Sequence, residues 1–182
     1  MRILTFIPRL DLNDGGGVRA VSDIANALVA QGISVCLLCE DSKDRDELDP
    51  SVELQSLDMG TVSGSQNAIR VEGLIRDADV VHLHQVWLPA NVYLSKLADQ
   101  LNTPVVLSPH GMLDNWSLRQ KRLKKRAFLA LYRRHFRKRI SLFHCTAEAE
   151  KQQLTKNLGV DADHVAVVPL FIDPNLLSRP SN

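Results

Sequence analysis

Apolar positions along this chain fall into two alternating rhythms. Short, mostly apolar runs appear at Ile3–Ile7, Ile33–Cys39, Val52–Leu57, Asp79–His84, Pro104–Ser108, Ile140–Cys145 and His164–Val168. Runs of this length, bounded by Pro, Gly or charge, read as buried strands. Between them the period changes to that of a helix. Val18, Val21, Ile24, Ala25, Leu28 and Val29 share one helical face, and Gly32 follows as a stop. Ala90, Tyr93, Leu94, Leu97, Ala98 and Leu101 do the same over Pro89–Leu101, with Pro89 suited to the first turn. Ser63–Ala78 is a less regular helix with Gly73 inside it. Trp116–Lys138 reads as one long helix or two. Thr146 is the expected cap of a last helix that ends near Gly159, with Glu148 and Glu150 in its first turn. Strands alternating with helices predict an α/β fold: a doubly wound, mostly parallel sheet with helices on both faces.

At 182 residues the chain suits one such domain. Its 45% hydrophobic and 24% charged residues are ordinary for a globular protein. No run approaches the roughly 20 apolar residues of a membrane span. Arg2–Ile7 is too short, and too soon followed by Pro8 and Arg9, for a signal peptide. Cys36 and Cys39 form a C-x-x-C, but an extended strand would aim them at opposite faces. Buried thiols of a reducing cytoplasm account for them better than a redox or zinc site. Glu40–Pro50 is a charged loop, most of which must face water.

Net charge is only +1, which excludes a polyanion binder built from the whole surface. The distribution is uneven. Eleven of the 22 Lys and Arg residues lie between Arg119 and Arg139, including Arg119, Lys121, Arg122, Lys124, Lys125 and Arg126. Trp116, Leu118, Leu123, Phe128, Leu131 and Phe136 sit among them. A solvated helix face, an anionic lipid surface and a nucleic-acid surface all fit this mixture. No nucleic-acid motif accompanies it, so only non-specific association with nucleic acid is expected.

Three constellations carry candidate chemistry. Gly15-Gly16-Gly17-Val18-Arg19 lies between strand and helix, where glycines allow positive φ and the helix start attracts phosphate. Arg19 adds a cation. Gly15-x-Gly17-x-x-Ala20 also matches a dinucleotide fingerprint, with Glu40 at the end of the next strand. Seven residues, Pro8–Asp14, separate it from the strand it should turn out of, which argues against a dinucleotide-dependent oxidoreductase. His82 and His84 share a strand face, but a metal site needs three or four ligands and no partner stands at a diagnostic spacing. His84 and Trp87 could instead line a pocket. His110-Gly111, at the end of Pro104–Ser108 and followed by Asp114, places a donor, acceptor or acid/base where open α/β sheets bind ligands.

These segments, in this order, resemble the N-terminal domain of family 4 glycosyltransferases of GT-B architecture. The resemblance rests on Gly15–Arg19, on Asp79–Trp87, on Ser108-Pro-His-Gly-Met-Leu-Asp-Asn-Trp-Ser-Leu-Arg-Gln-Lys-Arg-Leu-Lys-Lys-Arg126, on Thr146–Glu150 and on Val167–Pro169. It implies retaining transfer of a sugar from a nucleotide sugar, without an obligatory metal or other cofactor, to a glycan or lipid-linked acceptor of polysaccharide or envelope synthesis. By position it implies that His110 is catalytic and near the reacting sugar. It gives substrate-binding roles to Gly16, Gly17, Arg19, His84, Trp87, Gly111 and Asp114. The basic segment then suits peripheral contact with the inner face of the membrane by a cytoplasmic protein. Residues 1–169 would be the acceptor-side Rossmann-like domain and residues 170–182 a linker. Where the family has Asn-Gly after Pro169, this chain has Leu170-Phe171 before Ile172-Asp173. The donor-binding half, with its basic residues and paired glutamates, is expected on another chain or missing. A non-catalytic module for glycans or lipid headgroups is the alternative.

Overall fold

Arg2–Phe6 (β1) enters the sheet as an interior strand, buried on both faces: Leu4 and Phe6 face one way, Ile3 and Thr5 the other. The computed structural model describes residues 1–59 and 66–170. Gly16–Ala30 (α1) follows and leads to Ser34–Cys39 (β3), which pairs parallel to β1 with Arg2 opposite Ser34. Glu53–Ser56 (β5) closes that edge. The chain then returns through Gln66–Arg76 (α2) to the other side of β1. Val80–His84 (β6), Pro89–Gln100 (α3), Val105–Ser108 (β7), Asn115–Arg119 (α4), Arg122–Arg139 (α5), Leu142–Cys145 (β8), Glu148–Leu158 (α6) and Val165–Val167 (β9) complete the fold. All seven strands are parallel, in the order β5-β3-β1-β6-β7-β8-β9. The order reverses between β1 and β6, and that is where a doubly wound sheet opens a crevice at its carboxyl ends.

The pleat sorts side chains into two cores. Leu4, Phe6, Val81, Leu83, Val105, Leu107, Phe143 and Cys145 pack against α2, α3, α5 and α6 through residues such as Ile75, Leu94, Phe136 and Leu154. On the other face, Val35, Leu37 and Cys39 pack against Val18, Val21 and Ala25 of α1. Cys36 belongs to the first core and Cys39 to the second, as the strand geometry requires. Thr5, His82, His84, Ser108 and His144 share the second face, beyond the part that α1 covers. No helix of the described residues is long and apolar enough to cross a membrane.

Several elements differ from the sequence expectation. Arg9–Leu10 (β2) and Asp41–Ser42 (β4) form a second, two-stranded parallel sheet inside what read as loops. Buried Asp11 ties the two together, accepting from Lys43 Nζ at 2.8 Å and from the Asn13 N–H at 3.0 Å. Those bonds hold its carboxyl down at about 2. The basic stretch is two helices, because Gln120 is extended and Lys121 is left-handed at φ 49°. Ala147, not Thr146, occupies the cap position of α6. Thr146 is turned to Glu150, whose carboxylate accepts both its N–H (2.7 Å) and its hydroxyl (3.0 Å). Residues 63–65 of the expected second helix and the tail from Phe171 onward lie outside the described residues.

Candidate functional site

Three strand ends build the site: β1 supplies Thr5, β6 supplies His84, and the turn after β7 supplies His110. His84 is fully buried. Its Nε2 lies 2.9 Å from Thr5 Oγ1 and its Nδ1 lies 2.9 Å from His110 Nε2. The two rings are nearly parallel, at 15°, with centroids 5.1 Å apart. That separation exceeds the N···N distance by about two ring radii, so the rings meet edge to edge, with the hydrogen bond close to both ring planes.

A second row runs beside the first. His82 Nε2 lies 2.8 Å from Ser108 Oγ, which lies 2.8 Å from His144 Nδ1, and His144 Nε2 lies 2.9 Å from the Val168 carbonyl oxygen. A carbonyl only accepts, so His144 Nε2 carries a proton. In the neutral ring Nδ1 then accepts from the Ser108 hydroxyl, and Ser108 accepts from His82 Nε2–H. The His82 and His84 rings approach to 4.2 Å between centroids.

Burial keeps His82, His84 and His110 uncharged. It pushes His82 down to about 3, with His144 and His110 adding to the depression. It pushes His84 well below the ordinary histidine range. It brings His110 to about 4, partly opposed by the carboxylate of Glu150. His110 is therefore uncharged near neutral pH, with one ring nitrogen a donor and the other an acceptor. Among the described residues, no group of three or more His, Cys, Asp or Glu side chains could hold a metal ion.

The turns are held in unusual backbone. His110 (φ 52°) and Gly111 (φ 71°) are both left-handed, as is Gln85 (φ 68°) after β6. Such conformations in non-glycine residues persist where surrounding bonds fix them. Asn91 Nδ2 donates to the carbonyls of His84 (2.9 Å) and Gln85 (2.8 Å). Glu150 accepts the Gly111 N–H at 2.6 Å.

The glycine loop meets this corner. A Cβ placed on Gly17 would lie 3.9 Å from Cβ and Cγ of His110. Only Gly15, at φ 106°, needs glycine's backbone freedom; Gly16 and Gly17 are already the first turn of α1. Arg19 instead pairs with Glu47 at 3.1 Å. Asp114 caps α4 through the Ser117 N–H. Trp87 lies away from the histidine rows, edge-on to Phe128 at 5.6 Å and beneath Lys125 Nζ at 5.0 Å. With Gln120, Lys121 and Lys124 they line a hollow of about 380 Å³. Lys125 turns inward, donating to Ser117 O and Oγ at 2.7 and 2.8 Å. Arg119, Arg122, Lys124 and Arg126 remain exposed.

The structure thus brings Gly17, His84, His110 and Gly111 together and groups Trp87 with the lysines. Thr5, Ser108, His144 and Glu150 were not singled out as site residues in the sequence. For Thr5, Ser108 and His144 the available signal was a polar residue in a strand's apolar run.

Residues 14–176 match the model of Glycosyltransferase Family 4. The chain belongs to that family. Among solved structures it is similar to HepE of Anabaena in complex with UDP and glucose, at 15% identity and a TM-score of 0.70, covering 97% of this chain and 46% of that one. It is also similar to a glycosyltransferase of Rickettsia africae, at 19% identity and a TM-score of 0.62, covering 92% and 42%. An alpha-glucosyltransferase in complex with UDP and a 13-mer DNA shares 17% identity and a TM-score of 0.58, covering 95% and 43%. No curated protein matches by sequence. The chain spans less than half the length of these structures, and the likeness establishes the seven-stranded GT-B type Rossmann-like fold.

Proposed function

We propose that this family 4 domain is the acceptor-side half of a retaining glycosyltransferase, moving a sugar from a nucleotide sugar to a glycan or lipid-linked acceptor. The close approach of the Gly17 backbone to His110 at the switch point, where an added Cβ would just touch the imidazole side chain, carries this reading. It joins the free N–H groups at the start of α1, which suit a phosphate or sugar oxygen, to a neutral imidazole, which suits a hydroxyl. Arg19 is paired with Glu47 on the surface, and most of the charge on a donor's phosphates is met by a second domain or a separate chain.

The basic helix supports a place on the inner face of the membrane. Leu123 (81% exposed), Leu131 (72%) and Trp116 (71%) stand out into solvent. In α5 the two leucines sit beside Ala127 and Ala130 among Arg126, Arg134, Arg137 and Lys138. Apolar groups flanked by cations suit an anionic bilayer surface. Trp87, Phe128 and the lysine hollow next to it suit the sugar and phosphate of a lipid-linked acceptor.

The test is amide-resolved titration of the chain with UDP-glucose, with other nucleotide sugars and with lipid-linked and free glycans. Perturbations centred on Gly17, His84 and Gly111, lost in His110→Ala, are expected. Saturating ligands that leave this corner unperturbed overturn the reading.

A further inference from the structure

The row Thr5–His84–His110 has two ways to distribute its protons. In one, the Thr5 hydroxyl donates to His84 Nε2, His84 Nδ1–H donates to His110 Nε2, and His110 carries its own proton on Nδ1. In the other every arrow reverses: His110 Nε2–H donates to His84 Nδ1 and His84 Nε2–H donates to Thr5.

Hydrogen-bond accounting separates them. Thr5 is 4% exposed, and His84 is the partner of its hydroxyl among the described residues. In the reversed row the Thr5 O–H is left buried with nothing to donate to. In the forward row every buried donor has an acceptor. A buried donor without an acceptor disfavours the reversed row by about tenfold or more. The open end agrees. His110 Nδ1 has no protein partner among the described residues and is not among the buried orphaned polar atoms, so its N–H reaches solvent. The neighbouring row, fixed by the Val168 carbonyl, also donates from β6 toward β7.

We infer that His84, locked by Thr5, is a positioning residue that holds His110 in the Nδ1–H form, so that the corner offers its ligand a hydrogen-bond donor. The ligand atom it meets is then an oxygen lone pair, of a hydroxyl or a phosphate. This rests on the reading of His110 as a sugar contact for its use, though the tautomer itself does not.

Long-range proton–nitrogen spectra of the chain with ¹⁵N-labelled histidine test it without any turnover. The expected result is a protonated Nδ1 and a bare Nε2 on His110 near pH 7. His84→Asn keeps an amide at the place of Nδ1 but, able to present oxygen or N–H and without the Thr5 lock, lets both tautomers appear. His84→Phe removes the donor and lets both tautomers appear. A proton on His110 Nε2 in the unaltered chain overturns the inference, as does a His110 tautomer unchanged in His84→Phe. Should that variant fail to fold, the unaltered chain and His84→Asn still decide. Binding of free and lipid-linked glycans is read separately at the Gly17 amide. A correct tautomer without sugar binding removes the proposed function alone; the wrong tautomer with sugar bound removes this inference alone.

Discussion

The carboxylate of Glu150 accepts the backbone N–H of Gly111 at 2.6 Å, across 39 residues of chain. The same group accepts from Thr146 twice. One side chain therefore pins the left-handed turn after β7 to the start of α6. Glu150→Ala strands the Gly111 and Thr146 N–H groups in a partly buried place. A loss of about 1–3 kcal/mol is expected, read as a lowered urea midpoint. An unchanged midpoint would show that water replaces the carboxylate freely. Glu150→Gln, which keeps an acceptor oxygen, should recover part of the loss.

The three glycines of the loop should respond differently to alanine. Gly15 is at φ 106°, so Gly15→Ala is strained and destabilising. Gly17 is helical, and an added Cβ makes an ordinary 3.9 Å contact with His110. Gly17→Ala should be neutral or stabilising by about 0.5–1 kcal/mol. Gly17→Leu should fold yet cover His110, weakening sugar binding while the thermal midpoint holds. Equal effects of alanine at both positions would contradict this division.

Stability should depend on pH through the buried histidines. In the unfolded chain each titrates near 6.5. In the folded chain His110 is held at about 4 and His82 at about 3 by burial. Below the unfolded value the unfolded chain binds protons that the folded chain refuses. Stability is therefore full above about pH 6.5 and falls as pH drops toward 4. Urea midpoints between pH 8 and pH 4.5 should trace that fall, before carboxylates contribute. His82→Gln and His110→Gln should each flatten it. A flat profile in the unaltered chain would show that these rings titrate normally.

The outward face of α5 should bind anionic vesicles in a salt-sensitive way. Each cation near such a surface contributes about 1 kcal/mol, so Arg126→Gln should weaken binding roughly fivefold. Leu123→Ser should weaken it independently of salt. Trp116 emission should shift to the blue on binding, observed in a Trp87→Phe background. Arg76→Gln, on α2, serves as the control. Flotation that is absent, or equal for neutral vesicles, would remove the membrane contact.

The strands were legible because Ile33–Cys39 and its counterparts are short, mostly apolar runs of the kind a parallel sheet buries. Arg9–Leu10 and Asp41–Ser42 were not, since two residues carry no period. The break at Lys121 was hidden too, because a lysine gives no sign of left-handed backbone. Thr146 misled because Glu150 offers its hydroxyl a carboxylate, which competes with the capping role. At the site, His84 and His110 stood out as histidines at strand ends. Their link to Thr5, and that of His82 to Ser108 and His144, depends on which strands lie side by side. No single stretch of sequence contains that information.

The alternation along β6 joins two requirements that proteins usually keep apart. Val81 and Leu83 seal one core, while His82 and His84, interleaved with them, form the polar rows on the reverse. A single inserted or deleted residue in this strand would exchange the two sets, sending imidazoles into oil and valine into the crevice. Packing and chemistry here share one reading frame. Drift in β6 is thus confined to substitutions in place, and a relative with a different spacing there would have had to rebuild core and site in the same step.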